Sequence, residues 1–125
     1  PAGSPKNSFE LLRHFNSMKR HPEVLATYVR ERVPPPLLRT LFVRAPMEAD
    51  DLATLLHALR TNMHEQPPAL SPEVAADYVR QLLRTRCADT QFSMLSSVEK
   101  EIVRELAEGL PAGDDAQRAL SAALR

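Results

Sequence analysis

Residues 47–63 read MEADDLATLLHALRTNM, and their spacing decides the fold class. Leu52, Leu55, Leu56, Leu59 and Met63 recur at i, i+3, i+4, i+7 and i+11, which is the period of one helical face. Glu48, Asp50 and Asp51 stand at the start, where negative charge meets the positive end of a helix. Pro46 breaks the chain just before. The stretch therefore predicts a helix with one buried stripe, which needs other helices or a sheet to cover it.

Toward the N-terminus the cover is helical. Asn7 in "NSFE" is placed to cap a first helix, with Glu10 three residues on to reach back. Leu11, Leu12, Phe15 and Met18 then share a face. "KRHP" ends that helix, and Pro22 suits the first turn of a second, where its missing N–H has no helical partner anyway. Val24, Leu25, Tyr28 and Val29 form the second helix's expected stripe. Pro34, Pro35 and Pro36 end it and open a short third helix with Leu37, Leu38, Leu41 and Phe42.

Toward the C-terminus the pattern repeats in kind but at no fixed period, which argues against a regular solenoid. "EQPPALSP" reads as a turn or short loop. Ser71 caps a fifth helix with Pro72 at its first position and Val74, Ala75, Tyr78, Val79, Leu82 and Leu83 inward. A sixth is expected over Ala88 to Met94. A seventh runs from Ser97 to Glu108 with Val98, Ile102, Val103 and Leu106 inward, and Gly109 stands where a left-handed helix end favours glycine. "GDDAQRALSAALR" reads as an eighth helix or as a frayed end. Strand alternation and Asn-Gly or Asp-Gly hairpins are absent from the sequence. The expected fold is all-α: an array of about seven short antiparallel helices, with the eighth left open. Residues 1–6 are expected to be disordered or an expression remnant, 7–110 a helical protein-binding domain, and 111–125 a tail.

The totals narrow the function. At 43% hydrophobic residues the 125-residue chain is a globular one and not a disordered one. Cys87 is the sole cysteine, so an internal disulfide is impossible, and a reducing compartment such as cytoplasm or nucleus fits. No apolar run approaches the ~20 residues that cross a bilayer, and no helix pairs a basic face with large apolar residues, so no membrane role is expected. Net charge is zero but uneven: residues 1–46 carry +5 and residues 47–125 carry −5. That asymmetry reads as a solvated face or as a charge-complementary docking surface. With five per cent aromatics and no basic-aromatic motif, a nucleic-acid partner is not expected.

Catalytic chemistry is sought and not found. His14, His21, His57 and His64 never stand at i, i+4, so no metal site is expected, although His57 and His64 fall on one side of the fourth helix. No glycine-rich phosphate loop occurs, and no cofactor is expected. Cys87, between Arg86 and Ala88 with Arg84 nearby, reads as a reactive thiol or, more simply, as a small apolar filler at a helix junction. Ser96 and Ser97 in "QFSMLSSVEKE" admit three readings: a nucleophile, a site for an acid-directed kinase through Glu99, or a helix start. No nucleophile elbow surrounds them and no histidine follows them. The spacing of Ser96 and Glu99 is that of a capping box, so the chain is read as non-catalytic.

The ordered signals resemble the C-terminal domain family of RNA polymerase II-associated protein 3, also found in sperm-associated antigen 1 and in a coiled-coil dynein-arm assembly factor. "NSFELLRHFNSMKRHPEVLATYV" is similar to the family's opening, "LLRTLF" with "APMEADDLATLLHAL" to its middle, and "SMLSSVEKEIVREL" to its closing signature. The resemblance covers Asn7 to Leu110. It implies a non-catalytic module that docks on RuvB-like AAA+ ATPases and couples them to heat-shock protein 90, held by upstream tetratricopeptide repeats. The clients implied are RNA polymerase, small nucleolar ribonucleoproteins or axonemal dynein arms. It also implies partner-binding roles for Arg86, Cys87, Thr90 and Met94; the expected docking patch lies on the sixth and seventh helices and takes in the basic Lys100. Here the sequence departs from the family: its usual Arg-Phe pair reads Arg86-Cys87 or Cys87-Ala88, and Thr90 replaces a larger apolar residue. The rival readings are a helical interaction module with another partner or with its own copy, a small helical enzyme, and an RNA-binding module using residues 1–46.

Overall fold

The computed structural model describes residues 3–125, and among them there is no strand. Residues 1 and 2 of the leader expected to be disordered or a remnant lie outside the described residues. The helices are α1 (Ser8–Met18), α2 (Pro22–Arg32), α3 (Pro35–Leu41), α4 (Ala49–Met63), α5 (Pro72–Leu82), α6 (Ala88–Ser93), α7 (Ser97–Leu106) and α8 (Asp115–Ala123). A short 3₁₀ turn, Ala107–Gly109, follows α7. The fold is therefore all-α, and the tail that the sequence left open is the eighth helix.

Each helix begins where its sequence directs. Asn7 accepts from the N–H of Glu10 (2.8 Å), but Glu10 reaches past Asn7 to the N–H of Lys6 (3.3 Å), so the expected box at α1 is not closed. Ser71 accepts from Val74 N–H, and Asp114 from Ala116 N–H. Prolines fill the first turns of α2, α3 and α5.

α4 lies at the centre, packed mainly on α2 and α7 and touching α1, α5 and α6. Leu52, Leu55, Leu56 and Leu59 are buried as their spacing predicts, and Met63 is half-buried. Asn62 is fully buried on the same helix, which the sequence did not signal. It stays satisfied: its Nδ2 donates to the Ala26 carbonyl (2.9 Å), its Oδ1 accepts from Arg30 (3.3 Å), and its own carbonyl accepts from Ala69 N–H (2.9 Å). An amide so placed joins α2, α4 and the following loop without the cost of an unpaired buried polar group.

α2 and α5 carry one motif twice. Residues 22–30 read PEVLATYVR and residues 72–80 read PEVAADYVR, identical at seven of nine places. One recurrence makes no solenoid, but the two copies bury the same positions. Ala26 and Ala76, Tyr28 and Tyr78, Val29 and Val79 are buried. Val24 and Val74, expected inward, are 54% and 41% exposed. Both valines fall just outside the arc that neighbouring helices cover, and the alanines on the opposite edge lie inside it. Val98 on α7, also expected inward, is 57% exposed for the same reason.

The tyrosines close the joints between helices. The Tyr28 hydroxyl hydrogen-bonds His14 Nδ1 on α1 (2.7 Å), with the two rings edge to face. The Tyr78 hydroxyl donates to the Val33 carbonyl at the end of α2 (2.5 Å). Burial pushes both phenols up to about 12. In the unfolded chain they ionise near 10, so the folded state holds these protons longer. Their stabilisation is complete below pH 10 and is lost as pH rises through 12. Thermal melts across this range should show a falling midpoint, and Tyr78→Phe should make the fall shallower. An equally steep fall in Tyr78→Phe would exclude Tyr78 as a source.

Gly109 does not take the left-handed conformation expected of it; among the described glycines Gly113 does (φ 81°). What Gly109 provides is space. A Cβ there would stand 2.4 Å from the Pro72 carbonyl oxygen, so the 3₁₀ turn touches the start of α5 through a bare backbone.

Candidate protein-docking site

The exposed chemistry expected near residues 86–94 is built from the turn after α5. Thr85 is buried, with its hydroxyl donating to the Leu82 carbonyl (2.6 Å). Arg84 and Arg86 on either side of it are both exposed. The Arg86 N–H donates to the Phe42 carbonyl at the end of α3 (2.8 Å), which fixes the turn to the body of the fold.

Cys87 follows with φ 58° and ψ 30°, the left-handed region that a side chain enters at a cost. Its thiol is free and the residue is exposed, so the expectation of a buried apolar filler does not hold. The left-handed turn gives α6 its direction. Ala88 and Phe92 point into the core, with Phe92 only 1% exposed, and Leu95 continues that side. Cys87, Thr90 and Met94, spaced three and four residues apart, lie on the opposite side. Met94 is 65% exposed, a large apolar side chain left in water. α6 ends at Ser93, one residue short of the expected Met94, which becomes its cap residue.

The structure thus brings Arg86, Cys87, Thr90 and Met94 together on one short helix and the turn leading into it. Lys100 stands a turn inside α7, half-buried, and no hydrogen bond or ion pair joins it to them among the described residues. Val43 escaped the sequence reading. It is 62% exposed directly after Phe42, beside the Arg86 turn, and its placement depends on the backbone bond between those two segments.

Ser96 begins α7 through a complete capping box. Its hydroxyl accepts from Glu99 N–H (3.3 Å), and Glu99 accepts from Ser96 N–H (3.2 Å). The same carboxylate meets His57 Nε2 on α4 (3.3 Å). One helical stretch on, Glu105 binds His64 and Arg60 of α4, so α4 and α7 run side by side in the same sense. The Ser96 hydroxyl, followed by His57, holds the Glu99 carboxyl below its usual range. This is not a nucleophile and base. A triad places histidine between acid and serine, whereas here the acid stands between serine and histidine.

Ser96→Ala should lower stability by ~1 kcal/mol, which is roughly 4 °C in melting temperature for this length. Glu99's share is present at neutral pH and is lost as pH falls through its depressed pKa, so the gap between parent and variant should narrow in acid. An unchanged midpoint at neutral pH would count against the cap.

Among the described residues no cluster of three His, Cys, Asp or Glu is placed to hold a metal ion, and no helix is long and apolar enough to cross a membrane.

A family model described as the potential Monad-binding region of RPAP3 matches residues 4–100 of the chain. The fold is similar to the NMR structure of the C-terminal domain of the human RPAP3 protein, with a TM-score of 0.75 at 22% identity. The match covers 95% of this chain and 87% of that one. No curated protein sequence matches the chain.

Proposed function

The chain belongs to the family of the potential Monad-binding region of RPAP3, and on that premise we propose that it is the non-catalytic docking module of a co-chaperone or assembly factor. Its partner in this reading is the pair of RuvB-like AAA+ ATPases, reached through α6. Heat-shock protein 90 is coupled indirectly, through repeats elsewhere in the full-length protein. Assembly of polymerase, small nucleolar ribonucleoprotein or dynein-arm complexes is the process served, in cytoplasm and nucleus.

One observation carries the reading. Arg86 in the turn before α6 and Met94 at its C-terminal cap are exposed at the two ends of a helix that Phe92 anchors into the core. Arginine and methionine are enriched in interface cores, and an anchor on a fixed helix loses little entropy on binding. The small Cys87 and Thr90 between them supply less area than larger side chains. Arg86 and Met94 are therefore expected to carry most of the energy, with Cys87 and Thr90 completing the fit and Lys100 at the rim.

Titration calorimetry of the chain against the RuvB-like ATPases tests the partner. Saturable binding is expected, and no binding by the intact chain would overturn it. The family's description favours a second reading, in which Monad is the partner on the same face. The same titration against Monad separates the two.

A further inference from the structure

We propose that the docking face continues from α6 onto the end of α3, and that the combined surface receives an acidic segment of a protein partner carrying an apolar anchor. The proposal rests on the docking reading above and names the chemistry of what docks.

The carrying observation is the backbone bond from Arg86 N–H to the Phe42 carbonyl. It joins two stretches far apart in sequence, each bearing exposed arginines. Arg39 lies in the last turn of α3 and Arg44 two residues past Phe42, and both are exposed. Across the bond, buried Thr85 separates exposed Arg84 and Arg86. Four exposed arginines thus lie within three residues of the bonded pair, Phe42 and Arg86.

None of these four has an ion-pair partner among the described residues. Arg13, Arg30, Arg60, Arg80, Arg104 and Arg118 each have one, and Arg20, Arg32 and Arg125, away from the junction in sequence, also have none among the described residues. Two acids approach the patch from the far side of Arg84. They are Asp114 and Asp115, which line a cleft with it, but Asp114 is engaged by Arg80 and Asp115 by Arg118. Asp89, exposed on α6, is the acid within a turn of Arg86, and Glu48, exposed four residues past Arg44, is the acid on the other segment, two against four arginines. The junction is left with a surplus of positive charge in a chain whose net charge is zero. Unpaired arginines in a fixed fork geometry suit carboxylates, which they bind through two parallel hydrogen bonds.

The apolar residues of the patch favour protein over nucleic acid. Val43 is 62% exposed and Met94 65%, and Cys87 is exposed between them in sequence. Proteins that bind single-stranded nucleic acid combine a basic groove with aromatic platforms on which the bases stack. At the end of α3 and on α6 the aromatic residues are Phe42 and Phe92, each 1% exposed and turned into the core.

The test uses the 125-residue chain, ¹⁵N-labelled, and a synthetic peptide of alternating Asp and Glu with one central Leu. Amide shifts are expected at Val43, Arg44, Arg86 and Cys87. Affinity should fall as salt rises from about 50 to about 200 mM. The R39E/R44E variant leaves α6 intact and changes exposed side chains, so its melting temperature should hold while peptide affinity falls about tenfold or more. Equal affinity in that variant, shifts confined elsewhere, or no shifts at all would overturn the proposal. So would an oligouridine that saturates the same amides at lower concentration than the peptide. The peptide assay needs no ATPase, so a chain that fails to bind RuvB-like ATPases but passes here refutes the partner alone. A chain that binds the ATPases equally well with and without R39E/R44E, and fails here, refutes only the acidic extension.

Discussion

The R86E/M94D double variant is expected to bind the RuvB-like ATPases at least about a hundredfold more weakly than the parent chain. Arg86 is exposed and free of any ion pair among the described residues, so reversing its charge turns attraction for a partner's carboxylate into repulsion. Met94 is 65% exposed, and in a complex its side chain would leave water for an apolar contact. Aspartate at that place brings a charge into the same contact, where burial without a partner is costly. Neither side chain makes a hydrogen bond among the described residues, so the melting temperature of the variant should stay within a degree or two of the parent. Undiminished binding by a folded double variant would show that α6 is not the docking face.

Removal of residues 111–125 is expected to lower the melting temperature by roughly 10–20 °C and to weaken docking at the same time. α8 buries Leu120, Ala123 and Leu124, and it packs against α6. Burying two leucines stabilises by about 3–6 kcal/mol as an upper value. Its start is secured by Asp114, which accepts from Ala116 N–H and from Arg80 (2.9 Å), and these bonds hold its carboxyl below the usual range. α6 has six residues, too few to hold a helix by themselves. Without α8 it keeps the Phe92 anchor and the Arg86 turn but loses one wall. Hydrogen exchange should therefore show α6 amides losing protection before those of α4. A truncated chain with the parent's midpoint and unaltered α6 protection would refute this account.

The positions of the helices were largely legible because local signals state them. A cap, a proline in the first turn and a run at helical spacing act within a few residues, and they need no knowledge of what lies across the core. The leucines of α4, the Ser71 cap and the box at Ser96 were all read this way. The candidate site was legible in part. Arg86, Cys87, Thr90 and Met94 came from a family resemblance, and the structure places them on one short helix and its leading turn. Val43, the unpaired Arg39 and Arg44, and the brace of His57 and His64 onto α7 were not legible. Each depends on a contact between segments that the chain brings together only on folding.

The sequence by itself determined an all-helical chain, the beginnings of the first seven helices, and the central stripe of their buried faces. Tertiary structure alone decided the edges of those faces. Val24 and Ala26 flank the same stripe, as do Val74 and Ala76, and in both pairs the smaller residue is the buried one. Hydropathy ranks them the other way. The edge is set by how closely a neighbouring helix approaches, and close approach favours the side chain with least volume. Gly109 follows the same rule at its limit, where the Pro72 carbonyl leaves no room for a Cβ. Tertiary structure also decided that Cys87 turns outward and that α8 supports α6. Those outcomes rest on distances across the fold, which periodicity along the chain does not encode.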